Sequence, residues 1–396
     1  MILDLSVFLC VYKCKHTSSS SSSRFFLSTL SFQHKPTNKQ KIIKSSLLLP
    51  PSTSFAIFPM TTHLNKKPRL ENLTVNLFDD LPDDLVISIL QKLSSSASSP
   101  ADFLTVLFTC KRLNRLGLHP LVLSRAGTQT LAVTAAKWSD SAHKFLRLCV
   151  NAGNIDACYA LGMIRFYCLQ NPVSGASLMA RAAIKSHAPA LYSLSVIQFN
   201  GSGGTKSDKN LRAGVALCAR SAYLGHVDAL RELGHCLQDG YGVSRDVSEG
   251  RRVLIQANAR ELACSLRAYL SHKSGNEKLT DLACSVGGGV GGVPVQEIHP
   301  VNRFLKDWFD SGRVVLLDGL RMCSHGGCGR PETRWHEFRR CSVCGKVNYC
   351  SRGCQALDWR AKHKMECAPL DLLVAEAAAI GDGDGEVVEV ENHAAR

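Results

Sequence analysis

Between Cys323 and Cys367 the chain carries eight side chains able to bind a metal: Cys323, Cys328, Cys341, Cys344, Cys350, Cys354, His363 and Cys367. Their spacing is C-x4-C-x12-C-x2-C-x5-C-x3-C-x8-H-x3-C. Thiolate and imidazole favour zinc at four-coordinate sites, so eight such donors suit two tetrahedral Zn2+ ions. So short a segment cannot bury enough apolar surface to fold unaided. Structural zinc supplies about 10–16 kcal/mol of apparent free energy per site, enough to order it. All eight positions are protein side chains, which leaves no coordination position for a catalytic water, so both ions are expected to be structural. His325 lies inside the first spacing and competes with Cys323 as first ligand.

The other cysteines of the seventeen are scattered singly among apolar residues. Cys149, Cys158, Cys218 and Cys236 are expected as small buried hydrophobes. An odd total with one dense cluster argues for metal binding in a reducing compartment, the nucleus or cytoplasm, rather than for disulfides. The formal charge of +14 is not concentrated in one place. Residues 1–60 hold about six of the excess charges, and seven ligand thiolates on two Zn2+ would remove about three more. No stripe of basic and aromatic residues appears, so no nucleic-acid partner is expected. No stretch approaches the ~18–20 apolar residues needed to span a membrane.

The elements that must position the cluster lie upstream. Residues 1–74 are expected to be a disordered, targeting or extension segment. The tract Ser18 to Ser23, Pro50-Pro51 and the single acid Asp4 before residue 60 cannot build a core. Met60 is an alternative start, and Lys66-Lys67-Pro68-Arg69 is like a nuclear-import cluster.

In residues 75–126, Leu81, Leu85, Ile89 and Leu93 recur every four residues with Val86 and Leu90 beside them, the pattern of an amphipathic helix. Asp79 or Asp80 is expected to cap it, with Pro82 in the first turn and a break over Ser94–Pro100. A second apolar set runs from Phe103 to Leu113, and a third short segment holds Pro120-Leu121-Val122-Leu123. Leu81-Pro82-Asp83-Asp84-Leu85 with Ile89-Leu90, and Val106 through Cys110-Lys111-Arg112, resemble an F-box, the three-helix motif that docks on the Skp adaptor of cullin ubiquitin ligases. The resemblance implies that Leu81, Pro82, Leu85, Ile89, Val106 and Cys110 meet the adaptor. The Ser-rich insert is longer than usual, and Leu113 stands where many F-boxes carry Trp. Three short helices make a thin core, so leftover apolar surface is expected to seek a partner.

Residues 141–270 contain a repeat. Asn154-Ile155-Asp156-Ala157 with Leu161-Gly162 returns as His187-Ala188-Pro189-Ala190 with Leu194-Ser195, and again as His226-Val227-Asp228-Ala229 with Leu233-Gly234. Spacings of 33 and 39 residues fall in the range of helical hairpin repeats. Small residues at matched positions let helices approach closely. The pattern, with the Gly240-Tyr241-Gly242-Val243 turn, resembles the Sel-like branch of tetratricopeptide solenoids. That resemblance implies an α/α solenoid with a concave face open to peptides. Residues 285–295 contain a literal Gly-x-Gly-x-x-Gly. It runs into Pro294 without βαβ context, so it is expected to be a linker and not a phosphate site. Val301 to Phe309 is expected as a short helix packing Phe304, Leu305, Trp308 and Phe309 on the repeats or on the cysteine-rich segment, and 381–396 as a disordered acidic tail.

The ligand order, with Tyr349-Cys350 and Cys354-Gln355-x-x-Asp358-Trp359-x-x-x-His363-Lys364-x-x-Cys367, resembles a MYND-type zinc finger over 323–367. The resemblance implies cross-braced pairing, with Cys323, Cys328, Cys350 and Cys354 on one ion and Cys341, Cys344, His363 and Cys367 on the other. It also implies docking of short proline-containing peptides of a target protein, through Gln355 and Trp359 on one helix face. The first spacing departs from the family, with four intervening residues where two are usual. The fold class expected is mainly α: an F-box, an α/α solenoid and a small two-zinc finger. Together the modules resemble plant-type F-box proteins with a carboxy-terminal MYND finger. That implies a non-catalytic substrate-recognition subunit of an SCF-type E3 ubiquitin ligase, with a Skp-type adaptor, a cullin and a target as partners. A transcriptional adaptor without a ligase role is the alternative. No catalytic constellation is present in the sequence.

Overall fold

Apolar spacing decides which side of each helix is buried, and in the first unit it divides the leucine-rich set in two. On α1 (Asp83–Ser96), Val86 and Leu90 are buried one turn apart while Leu85 and Ile89 face outward. This is seen in a computed structural model that describes residues 80–273, 298–312, 316 and 319–369. The segments expected at 1–74, 285–295 and 381–396 lie outside the described residues.

Four short helices, not three, form this unit: α1, α2 (Pro100–Thr109), α3 (Lys111–Gly117) and α4 (Pro120–Leu123). The apolar run from Phe103 to Leu113 breaks at Cys110, whose backbone is extended and whose thiol accepts from the Leu113 amide, capping α3. The cap expected at Asp79 or Asp80 is also corrected. Pro82 occupies the cap position without a side-chain bond, and Arg112 and Arg115 hold Asp83 in the first turn. Nor does α1 stop at Ser94. That serine is buried, its hydroxyl donating to the Val122 carbonyl, and the helix ends two residues later. Phe103, Leu107, Leu116, Val122 and Leu123 complete the small core.

After α5 (Asp140–Asn151) come three helix pairs: α6 (Ile155–Tyr167) with α7 (Pro172–Ile184), α8 (Ala188–Asn200) with α9 (Leu211–Tyr223), and α10 (Val227–Asp239) with α11 (Val247–Lys273). The repeated motif has a structural cause. Asn154, His187 and His226 each cap the first helix of a pair, accepting from the amides of Ala157, Ala190 and Ala229. Small residues then let the pair close. A Cβ on Gly175 would stand 2.7 Å from the Gly162 carbonyl oxygen, so the two backbones meet where glycine alone fits. The first pair lacks a glycine turn, and Gln170 takes the positive φ of 50° there.

Asn154 also joins the two units, its amide donating to the carbonyls of Leu123 and Ala126 at 3.0 and 2.8 Å. Beyond the pairs, α12 (Pro300–Asp310) buries Phe304, Leu305 and Trp308 and sets Phe304 and Trp308 edge-on against Trp138. The finger follows, with a two-stranded antiparallel ribbon, β1 (Arg339–Arg340) and β2 (Asn348–Tyr349), then α13 (Arg352–Asp358), a π-helical turn over Trp359–His363 and α14 (Lys364–Glu366). Cys149, Cys158, Cys218 and Cys236 are all buried, and burial pushes the thiols of Cys149 and Cys236 up to about 12. No helix among the described residues is long and apolar enough to cross a membrane.

Candidate metal centres and docking surfaces

Tight turns and short caps carry the eight donors. The amide of Cys323 donates to the Arg330 carbonyl and that of Cys328 to the His325 carbonyl, closing the first loop. Ser351 caps α13, with its hydroxyl accepting from the Cys354 amide, so Cys350 and Cys354 flank one helix start. In the second loop the Gly345 amide donates to the Cys341 carbonyl, with Gly345 at a φ of 64°, and this turn presents Cys341 beside Cys344. The π turn carries His363, and Cys367 follows in extended backbone.

Two quartets result: Cys323, Cys328, Cys350 and Cys354, and Cys341, Cys344, His363 and Cys367, each with donor atoms within 4.8 Å of one another. His325 is in neither, although its buried Nδ1 has no hydrogen-bond partner. The geometry fits zinc. Bonds of about 2.3 Å to sulfur and 2.0–2.1 Å to nitrogen put tetrahedral ligands roughly 3.8 Å apart for S···S and 3.6 Å for S···N. The protein has Cys328 Sγ to Cys350 Sγ at 3.5 Å, Cys350 Sγ to Cys354 Sγ at 3.6 Å, Cys341 Sγ to Cys367 Sγ at 3.8 Å and Cys344 Sγ to His363 Nε2 at 3.6 Å. In each quartet the neighbouring groups push one thiol down. Hydrogen bonds, first from Cys323, hold Cys328 well below the usual thiol range. Burial pushes Cys341 up, but the amide of Cys344 and the neighbouring His363 outweigh it and bring it to about 6.

The finger does not hang free. Cys323, Cys328, Tyr349, Cys350 and Cys354 share one hydrophobic core with Tyr192, Val196, Phe199, Cys218 and Leu230 of the repeats. Asn200 donates to the Cys350 carbonyl at 2.8 Å, Tyr192 and Ser351 share a hydroxyl bond, and Arg330 reaches Ser193 Oγ at 2.9 Å. The peptide-binding face expected on the repeats is therefore corrected in part. The first helices of the second and third pairs, α8 and α10, are covered by the chain's own finger. The physical reason is that the finger is too small to bury its own apolar residues and completes its core on theirs.

Glu232, which accepts from the Gly353 amide of the finger, was not visible as a partner in the spacing of the ligands, and neither were Ser193 and Arg330. A signal existed in the repeat register, where positions 160, 193 and 232 read Ala, Ser and Glu. A carboxylate at a position that periodicity buries needs a polar partner.

The residues expected at the two docking surfaces are placed as follows. Leu85 is 49% exposed and Ile89 43%; Pro82 and Cys110 are exposed, and Leu81 and Val106 half-buried. Phe108, 79% exposed, and Leu121, 54% exposed, add apolar surface to the same unit. On the finger, Gln355 is half-buried and the Trp359 amide donates to its carbonyl across one helical turn. Trp359 does two things: its ring stands edge-on against His363 at 5.7 Å, and 38% of it remains exposed.

Residues 323–367 match the MYND finger family, and residues 129–221 match plant tetratrico peptide repeats. An F-box protein of Arabidopsis thaliana is 82% identical over 344 residues, covering 85% of this chain and all of that protein. A second F-box protein of the same plant is 59% identical over 347 residues, covering 82% of this chain and 89% of its own length. Among solved structures, a Sel1 repeat protein from Oxalobacter formigenes aligns with a TM-score of 0.33 at 16% identity, over 57% of this chain and 85% of that one.

Proposed function

This chain belongs to the plant F-box proteins that carry a carboxy-terminal MYND finger, and from that premise we propose that it is the substrate-recognition subunit of an SCF-type E3 ubiquitin ligase. The observation that carries this reading is the division of α1. Val86 and Leu90 satisfy the small core, while Leu85 and Ile89 stay in water where a soluble domain gains nothing from them. A Skp-type adaptor is the partner that such a surface on an F-box serves, and it would link the chain to a cullin.

The finger would hold two structural zinc ions through the quartets described above. The exposed part of Trp359, with Gln355 beside it, would anchor a proline-containing peptide of the target. The chain would act by proximity, setting a target lysine near the charged conjugating enzyme without acid–base chemistry of its own. The nucleus or cytoplasm, both reducing, suits a protein whose thiols must stay free for metal.

Co-purification of the adaptor and cullin with the tagged chain tests the proposal. The complex is expected with the native chain and lost with Leu85→Asp and Ile89→Asp together. Its survival in the double variant would remove the ligase assignment.

A further inference from the structure

Ile255, Leu262 and Leu266 of α11 lie in water, on the side of the helix turned away from α10. They are 67%, 57% and 51% exposed, whereas Gly250, Val253 and Ala257 on the opposite side are buried. With Ala259 they recur at intervals of four, three and four residues, the period of a seam that meets a second helix. Two features set this stripe apart from the earlier pairs. Asn171, Asn210 and Asp246 each cap a second helix, and nine positions later stand Ala180, Ala219 and Ile255. A large apolar side chain thus replaces alanine on a face that the first two pairs keep small. The helix α11 is also 27 residues long where α7 and α9 have 13 each, so Leu262 and Leu266 lie on a stretch with no counterpart in those pairs.

The chain supplies a segment of matching length and pattern just past the finger. Leu370, Leu373, Ala377 and Ile380 are spaced three, four and three apart, with Val374 beside them and Asp371 and Glu376 off the stripe. Pro369 and Gly381 bracket the run as helix start and stop signals. A helix this short is marginal alone in water, so its apolar side needs a surface. Arg360 donates to Glu261 at 3.0 Å and pins the finger to α11 beside the stripe. One turn further, His363 shares a metal quartet with Cys367, so the chain leaves the finger there, and the three residues to Leu370 add about 10 Å of reach. Asp382, Asp384 and Glu386 follow the run, while exposed Arg251 and Arg252 flank the stripe near Ile255, Arg252 being shared with Glu249. A stripe about 16 Å long and one helix wide falls far short of the ~1,200 Å² that a stable dimer buries, whereas a segment of the same chain acts at high effective concentration.

We propose that residues 370–380 dock as a helix along the outer face of α11, antiparallel to it, and close the open end of the solenoid. Leu370 then lies against Leu266, Leu373 against Leu262, Ala377 against Ala259 and Ile380 against Ile255, and the acids beyond Gly381 meet Arg251. The docked segment gives α11 the cover that a following repeat gives the helices before it.

Hydrogen exchange of the full chain, read by mass spectrometry, tests the proposal. Amides of 373–380 are expected to exchange at least about tenfold more slowly than in a free peptide of the same sequence. Leu262→Asp with Leu266→Asp should abolish that protection. Leu373→Asp with Val374→Asp should abolish it too and speed exchange over 259–266, and this pair serves if the α11 variant fails to fold. Val173→Asp, on an equally exposed apolar residue of α7, should leave it unchanged. Arg251→Glu should lower it a few-fold at low salt. Peptide-like exchange over 373–380 in the native chain, or protection untouched by either pair of aspartates, would overturn the proposal. Protection that fades on dilution as a dimer dissociates in sedimentation would give the stripe to a second copy instead. Protection that ignores Arg251→Glu would overturn the antiparallel direction.

Discussion

The carboxylate of Glu232, buried on α10, accepts a 2.6 Å hydrogen bond from the backbone amide of Gly353 in the first turn of α13. A repeat residue thus caps a helix of the finger across 121 positions of sequence. Burial pushes the carboxyl of Glu232 up, opposed by the amides of Gly353 and Arg352. Glu232→Gln keeps an acceptor without the buried charge and is expected to change stability little. Glu232→Ala leaves the amide unpaired and should cost about 1–3 kcal/mol. Urea midpoints of the two variants check the difference.

Acid should loosen the contact between α12 and the repeats. His299 caps α12, its Nδ1 accepting from the Val301 amide, and its ring stands edge-on to Tyr159. Burial, with His187, His226 and Arg330 nearby and only Asp156 opposing, lowers it to about 4. The unfolded imidazole titrates near 6.5, so the unfolded chain binds the extra proton between these values. The contribution is complete above pH 6.5 and falls as pH drops to about 4, by roughly 3 kcal/mol in all. Ligand thiolates respond to acid as well, so the readout is a difference between proteins. His299→Asn, which can cap without titrating, should show a shallower loss of urea stability between pH 7 and 5.

The glycine contact inside the first pair gives a third expectation. A Cβ on Gly175 would meet the Phe166 amide nitrogen at 2.6 Å and the Gly162 carbonyl oxygen at 2.7 Å, both backbone atoms that cannot move aside cheaply. Gly175→Ala should destabilise by about 1–3 kcal/mol. Gly326→Ala, with nothing within 4 Å of the added carbon, should stay within about 0.5 kcal/mol. Equal denaturation midpoints for the two would refute the close approach of α6 and α7.

The peptide anchor proposed at Trp359 can be tested apart from metal binding. Trp359→Ala should retain both zinc ions by native mass spectrometry, because the ring contacts His363 but supplies no donor. It should weaken a proline-containing target peptide by about 2 kcal/mol in calorimetry, as expected of a partly exposed aromatic anchor. Loss of an ion in this variant would instead make Trp359 a cover for the second site.

Much of the local structure was legible because it follows from short-range pattern. The repeat of Asn154, His187 and His226 marks three helix caps, and Gly162 marks a close approach one helix later. The break at Cys110 was missed because apolar periodicity continues through it. A thiol that caps its own next helix leaves no trace in hydropathy. Periodicity alone did not divide α1 into buried Val86 and exposed Leu85, since both belong to one apolar stripe; the F-box resemblance put Leu85 and Ile89 at a partner's surface, and the neighbouring helices cover Val86 and Leu90.

By itself, then, the order of residues determined the secondary elements, the donor set and the family of motifs, because ligand spacing and helical period act over a few residues. Only the tertiary structure decided where the finger sits. That depends on pairs such as Asn200 with Cys350 and Arg330 with Ser193, more than a hundred positions apart, whose mutual burial no local pattern encodes.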